Sequence, residues 1–481
     1  MRFRDVITIL GKLYVVIGLL MIVPLSLSLL QQDSAGWAFV ITSCVSVVFG
    51  LLLHIRQPSH IVIERRESVL IIVFGWVTVS IIGALPFFLS GCIPHFADAF
   101  FESISGFTTT GASILDDIEA LPQSLLLWRS LTHWIGGMGI VILALVVLPA
   151  INTGSRNLYN FESSSIAQER ITPKIKDTAR LLWSVYLLLT IIQTLLLVLG
   201  GLSLFDAALT AMATIPTGGF SPRNASIAAY SSLYTEIIVM VFMVLAGINF
   251  SLYIQLFRAP HRERKFGEII RFYLAVLIIA SLIVVVDLRL FTYASWGEAL
   301  RYGVFQVISI NTTSGFVTAD YQLWRPTTHV VLLILMLIGA CPGSTTGAIK
   351  NARIILLLKS IYRELIYRLH PRAVHKIQID QRVIDDDTVR SALVYVGMYI
   401  AFFFLATLAM ALSGIDTNSS IFSVATTLGG VGPGLGLTGP IHSYAALPLF
   451  NKGILMACML FGRLEFYAIF LLFIPRFWRK T

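Results

Sequence analysis

Four short segments combine Thr, Ser and Gly in a way that suits ion coordination. They read Thr108-Thr109-Thr110-Gly111-Ala112-Ser113, Pro216-Thr217-Gly218-Gly219-Phe220-Ser221, Asn311-Thr312-Thr313-Ser314-Gly315-Phe316 and Leu428-Gly429-Gly430-Val431-Gly432-Pro433-Gly434. With Gly111, Gly219, Gly315 and Gly432 taken as equivalent, the spacings are 108, 96 and 117 residues. That is too long for a solenoid, and it suits one chain doing the work of four subunits around an axis. Four backbone loops facing one axis build a ring of carbonyls able to replace the water of a cation. Glycine is required where aiming a carbonyl inward needs a positive φ or close backbone approach. The candidate ion-binding residues are Thr109, Thr110 and Gly111; Thr217, Gly218 and Gly219; Thr313, Ser314 and Gly315; and Gly430, Val431 and Gly432. The neighbouring Thr and Ser hydroxyls either offer oxygens or tie each loop down.

A second constellation interrupts an apolar run that starts near Thr328: Gly339-Ala340-Cys341-Pro342-Gly343-Ser344-Thr345-Thr346-Gly347-Ala348-Ile349-Lys350. At about 1.5 Å per residue, Gly339 to Gly347 lie roughly 17–29 Å below the start of that run. Gly, Pro, Ser and Thr cannot continue a lipid-facing helix there. The segment reads as a flexible intramembrane loop beneath the coordinating ring and able to plug it; a packed kink between helices is the alternative. It is not a Walker motif, since no Lys directly follows a Gly. Arg463 lies in the middle of another apolar run, and a cation there is costly and faces the protein interior. A structural pair with Glu465 ranks second, because residues two apart point to different sides of a helix. Lys350 is placed at the inner edge, with a reach to lipid phosphate. Arg129 and His133 read as interfacial, and Gly136-Gly137-Met138-Gly139 as close helix packing. The cysteines Cys44, Cys92, Cys341 and Cys458 are scattered, without metal-type spacing.

The elements that must position these groups are membrane helices. The chain has 481 residues, 56% hydrophobic and 13% charged, with a mean hydropathy of +0.82, a balance foreign to soluble domains. Ten runs are long enough to span, near 9–31, 36–54, 69–90, 125–150, 181–201, 234–257, 272–288, 328–358 (interrupted), 391–413 and 449–474. They are continuous rather than alternating, so helices are expected, not barrel strands. The expected fold class is an all-α membrane protein of about ten transmembrane helices. Ahead of three of the glycines, Asp98, Asp206 and Ser419 stand 13 residues upstream as N-cap types, and Glu298 stands 17 upstream. A helix of about ten residues is ~15 Å long, half a bilayer. These are therefore re-entrant pore helices whose C-terminal ends favour a cation. The architecture expected is an N-terminal two-helix extension (1–66) followed by four pseudo-repeats of helix, pore helix, loop and helix at 67–155, 175–262, 268–370 and 388–481.

The net charge of +9 does not point to nucleic acid, because Lys and Arg gather in alternate loops while another loop carries Asp116, Asp117 and Glu119. This positive-inside pattern predicts cytoplasmic N- and C-termini, with membrane lipids as partners. The N-terminal apolar run is long enough to be a retained helix rather than a signal peptide. The stretch from Arg363 to Asp387 is charged and cytoplasmic.

The four Gly segments resemble the pore loops of the Trk/Ktr/HKT potassium transporter superfamily, and the resemblance covers nearly the whole chain. The helix pair at 9–54 makes it most similar to the TrkH/TrkG branch of bacterial potassium uptake subunits rather than the shorter KtrB branch. The resemblance implies K+ as the transported ion, a homodimer in the bacterial inner membrane, and a cytoplasmic TrkA-like nucleotide-binding ring as regulator. Nucleotide is then expected on the partner and no cofactor on this chain. It also implies a gating role for Gly339, Gly343, Ser344, Thr345, Thr346, Gly347, Lys350 and Arg463, with Arg463 facing the pore, bonding the loop carbonyls and repelling ions. Ala112, where the second and third loops have Phe, and Val431 and Pro433 in the fourth make a four-fold symmetric field unassured.

The function expected is channel-like, potential-driven potassium uptake. The alternatives are a symporter coupled to protons or sodium, or a Na+-permeable pore. Coupling calls for titratable carboxylates at mid-membrane, and Glu465 is the only convincing one, so the residues do not support proton coupling. No metal-ligand cluster or nucleophile–base arrangement supports an enzyme.

Overall fold

The computed structural model describes residues 3–54, 64–139, 175–258, 267–372, 375–380 and 382–479. The second half of the span expected at 125–150 and the basic groups around residues 56, 170 and 262 lie outside them. The regular structure of the described residues is helical apart from a small antiparallel hairpin, Gln378–Ile379 with Arg382–Val383, and an isolated bridge between Ile338 and Ile349. Among the described residues six helical segments are long and apolar enough to cross a membrane: Phe3–Gln31, Gly36–Leu53, Arg66–Leu89, Thr178–Leu199, Glu268–Phe291 and Asp386–Leu412. Their outward faces leave large apolar side chains such as Ile278, Leu282, Phe404 and Leu405 exposed. A lipid-facing surface has this character, because the bilayer rather than the protein solvates it.

Two spans expected to be continuous are broken, and the one expected to be interrupted divides as well. The run at 234–257 forms Leu233–Ala246 and Phe250–Arg258. In the gap, Gly247 O accepts from Cys341 N (3.1 Å) and Phe250 N donates to Gly343 O (3.2 Å). The interrupted segment 338–350 thus fills the break with its own backbone, which satisfies polar groups that lipid would leave bare. The run at 449–474 divides into Leu449–Leu464 and Tyr467–Leu472 at Glu465, which has φ +51°. The run from 328 divides into Pro326–Leu337 and Asn351–Leu369, as the Gly/Ser/Thr interruption implies.

Four short helices precede the Gly segments: Phe96–Phe107, Leu204–Thr214, Trp296–Asn311 and Thr417–Gly429. Their N-caps are His95, Ser203, Ser295 and Asp416, not Asp98, Asp206 and Ser419 as expected. Asp98, Asp206, Glu298 and Ser419 all occupy the third helical position. The Ser203 hydroxyl accepts from Asp206 N (3.1 Å), and Asp416 accepts from Ser419 N (2.9 Å). The apparent departure of the third repeat has a simple cause: Glu298 is in register, and the helix after it is one turn longer. An acid in the first turn suits the helix dipole. Asp98 also pairs with Lys452 (2.7 Å) and Asp206 with Arg223 (2.7 Å).

Hydrogen bonding to Ser419 holds the Asp416 carboxyl below the usual carboxylate range. This cap is therefore present above the ordinary value and is lost as pH falls through the lowered one. Asp416→Ala is expected to cost about 1 kcal/mol, read as a lower Tm in detergent that Asp416→Asn restores. An unchanged Tm would show that the cap contributes nothing.

Candidate ion pathway

The four loops share one backbone pattern. Gly111, Gly219, Gly315 and Gly432 have φ of +80°, +82°, +69° and +99°. Two residues earlier, Thr109, Thr217, Thr313 and Gly430 have φ of +54°, +57°, +54° and +72°. Between them, the N–H groups of Thr110, Gly218, Ser314 and Val431 donate to Ser105, Ala213, Ser309 and Thr426, each five residues back, at 2.8–2.9 Å. Each loop is thus hooked onto the end of its own pore helix. The carbonyls of Thr110, Gly218, Ser314 and Val431 accept no hydrogen bond from the described residues. An unpaired buried carbonyl is expensive unless something else satisfies it.

The four loops also close a ring. A methyl group on Gly111 would overlap the Gly218 carbonyl oxygen; on Gly219 it would overlap that of Ser314, and on Gly315 that of Val431. On Gly432 it would stand 2.7 Å from Thr110 O. Each glycine therefore sits against the carbonyl of the next repeat, and the fourth returns to the first. That last junction is the loosest, in keeping with the divergent fourth segment. All four glycines line one cleft, with Asp116 and His442 at its rim. The Thr108 and Thr312 hydroxyls bond Ile104 O and Ile308 O (2.7 Å each), so these side chains tie loop to helix.

The interrupted segment lies against the other end of the ring. Its neck is closed by Gly339 N to Ile349 O (2.9 Å) and Ile349 N to Leu337 O (3.1 Å). Thr345 Oγ1 donates to Ile215 O (3.0 Å) and meets Thr217 Oγ1 at 3.3 Å. Gly347 N donates to Thr313 Oγ1 (2.9 Å), and a methyl group on Gly347 would overlap Gly429 O. The Ser344 hydroxyl donates to Cys341 O (2.6 Å) and meets Thr346 Oγ1 at 2.8 Å. Arg463 joins the parts: Nη1 donates to Thr345 O (3.0 Å) and Thr109 Oγ1 (3.3 Å), and Nη2 to Gly136 O (2.6 Å). Thr109, Thr217 and Thr313, the left-handed residues of three loops, thus all face this layer. Glu465 accepts from Arg353 (2.6 Å), which settles the pairing weighed for it. Lys350 does not extend outward as expected: its nitrogen turns back onto the carbonyl and hydroxyl of Thr346.

Arg129 and His133 are not interfacial; they are 3% and 0% exposed. Arg129 pairs with Glu102 at 2.7 Å, donates to Ser221 O at 2.9 Å and stands 3.6 Å over the Phe220 ring. His133 stacks on Phe220 at 3.9 Å and contacts Gly106 O through Nδ1 at 2.7 Å. Sequence reasoning missed this backing, although a Glu within a pore helix and an Arg early in the next helix were the available signal. Gly136 and Gly137 are sites of close packing as expected, against Phe107 O and Pro216.

Among the described residues no group of three or more His, Cys, Asp or Glu is arranged to hold a metal. The four ring carbonyls are a neutral oxygen set suited to a large monovalent cation rather than to zinc or calcium. Membrane helices, four re-entrant pore helices and a closed ring of backbone oxygens define a membrane cation transport protein. The family model TrkH, cation transport protein, matches residues 35–480, and the chain belongs to that family. It is 35% identical to the Trk system potassium uptake protein TrkH of Escherichia coli K12 and 34% to that of Halomonas elongata, each over the full length of both chains. Escherichia coli TrkG is 32% identical, over 98% of this chain and 97% of its own. Among solved structures, the crystal structure of the potassium transporter TrkH from Vibrio parahaemolyticus matches all of both chains, with a TM-score of 0.88 and 33% identity.

Proposed function

We propose that this chain takes up potassium through a single-chain, pseudo-tetrameric pore. The observation that carries the reading is the ring of four unpaired carbonyls on Thr110, Gly218, Ser314 and Val431, each beside a positive-φ glycine. The relatives' names as potassium uptake proteins support the choice of ion. In this reading K+ enters the cleft over the glycines and exchanges water for the ring carbonyls, the pore-helix C-termini adding negative potential. The ion-binding set is Thr109–Gly111, Thr217–Gly219, Thr313–Gly315 and Gly430–Gly432. The layer from Gly339 to Lys350, pinned by Arg463, is the gate. In this reading its many bonds belong to a closed state, and opening requires Thr345 and Gly347 to leave the ring.

The four pore units run over 67–155, 175–262, 268–370 and 388–481, after a two-helix extension at 1–66. In this reading the chain lies in the bacterial inner membrane with both termini cytoplasmic, and the Arg66 to Arg479 O contact (2.6 Å), which brings the start of the third span near the C-terminus, is consistent with it. A homodimer and a cytoplasmic TrkA-like nucleotide-binding ring complete the assembly, nucleotide being held by the ring.

Coupling to protons is less well supported. The buried carboxylates Glu102 and Glu236 and the half-buried Glu465 are each engaged by an arginine, at 2.7, 2.7 and 2.6 Å. Each of the three is thus held in a structural contact with a neighbouring helix rather than standing open along the ion path. The test is flux through purified protein in liposomes with a clamped potential and K+, Rb+, Na+ or Li+ gradients. Potential-driven K+ and Rb+ flux without a proton requirement is expected. Flux that demands a proton or Na+ gradient would replace this reading with a symporter.

A further inference from the structure

We propose that the buried Glu102–Arg129 pair is a positioning strut that sets the spacing of the first and second loops and thereby the ion preference of the ring. The inference rests on the ring being the ion-selecting site.

The four loops are not held in the same way. Six residues before each glycine stand Ser105, Ala213, Ser309 and Thr426. In the third and fourth repeats that residue's hydroxyl donates to the carbonyl just after the glycine: Ser309 to Phe316 O (2.7 Å) and Thr426 to Pro433 O (3.1 Å). These loops are pinned from within. The first and second repeats lack this pin, because the Ser105 hydroxyl has no partner among the described residues and Ala213 has no hydroxyl.

The strut supplies the missing restraint. Nine residues before each glycine stand Glu102, Thr210, Gln306 and Ser423, and the charged one belongs to the first repeat. Glu102 accepts from Ser113 Oγ (3.0 Å) and Ile114 N (2.9 Å) in the first loop. Arg129, paired with it, donates to Ser221 O and covers Phe220 in the second loop. The network also reaches the fourth loop: Tyr444 N donates to Ser113 O (2.8 Å), and Tyr444 OH donates to Gly432 O (2.6 Å). At the matching position in the third repeat, Gln306 makes a neutral and longer contact to Thr318 (3.4 Å).

A buried pair stabilises only when its remaining donors and acceptors are satisfied. Here they are satisfied by the backbone and hydroxyl groups of two adjacent loops, so the pair fixes the distance between those loops. Because the ring discriminates ions through carbonyl spacing and field, slack between the first and second loops weakens discrimination before it blocks passage.

The test measures Rb+ and Na+ flux into liposomes for the parent protein, Glu102→Gln, Ser113→Ala and the ring variant Gly219→Ser. Glu102→Gln is expected to lower the Rb+/Na+ ratio about tenfold and Ser113→Ala about threefold, with Rb+ entry persisting in both. Ser113→Ala keeps the ion pair and decides the matter alone where Glu102→Gln fails to fold. Unchanged ratios in Glu102→Gln and Ser113→Ala beside an altered ratio in Gly219→Ser overturn the strut and leave the ring intact. An unchanged ratio in all three overturns the ring reading and the strut with it. A protein that is merely weakened loses total flux without a change in ratio, and that result also overturns the strut.

Discussion

Arg463→Ala is expected to raise K+ flux about tenfold or more in the absence of any regulator. The side chain donates to Thr345 O in the loop, to Thr109 Oγ1 in the ring and to Gly136 O in the neighbouring helix. Hydrogen bonds from a charged donor contribute about 1.5–3 kcal/mol each. Losing even the Thr345 bond shifts a two-state gate by roughly one to two orders of magnitude in population. Alanine also removes a positive charge beside the path, which lowers the barrier to a cation. Arg463→Lys separates these effects, since it keeps the charge but cannot bridge three acceptors. Flux from Arg463→Ala equal to the parent, with regulation intact, would remove Arg463 from the gate.

Gly219→Ser is expected to give the largest change in ion preference. At φ +82° a residue with a Cβ is strained, and the Cβ itself would overlap Ser314 O in the adjoining loop. The loop must move, and with it the carbonyls of Gly218 and Ser314. A change of about 1.4 kcal/mol in their differential hold on K+ over Na+ is tenfold in the ratio. The liposome measurement should therefore show K+ flux reduced and the K+/Na+ ratio lowered at least about tenfold. An unaltered ratio would remove the glycine from the ion site. Substitution at Gly432 is expected to be milder, because its methyl would stand 2.7 Å from Thr110 O and that junction has more room.

Much of this was legible in the chain because membrane insertion imposes local rules. A spanning helix needs a continuous apolar run, so most spans could be placed to within a few residues. Positive-φ positions need glycine, so the four loop centres stood out, and the polar break at 339–350 could not be a lipid-facing helix. The pore-helix starts were misread by three residues because Asp98, Asp206 and Ser419 are also good caps in isolation; the choice depended on Ser203, Ser295 and Asp416 being free to bond the first turn. The breaks near Gly247 and Glu465 were invisible, since apolar runs continue through them and partners from distant segments hold the bends. Arg129 and His133 looked interfacial because sequence reports distance along a helix, not what packs against its side.

The sequence by itself determined the class of protein, the approximate place of most spans, the four loop centres and the identity of the interrupting segment. Each is a one-dimensional consequence of hydrophobic length, charge asymmetry or glycine's backbone freedom. Only the tertiary structure decided that the loops close a ring through Gly111–Gly218, Gly219–Ser314, Gly315–Val431 and Gly432–Thr110 contacts. It alone decided that Arg463 ties the loop to the ring and that Glu102 and Arg129 stand behind two of the four loops. The physical reason is that a buried polar group must find its partner in space. Which partner it finds depends on how segments hundreds of residues apart are packed.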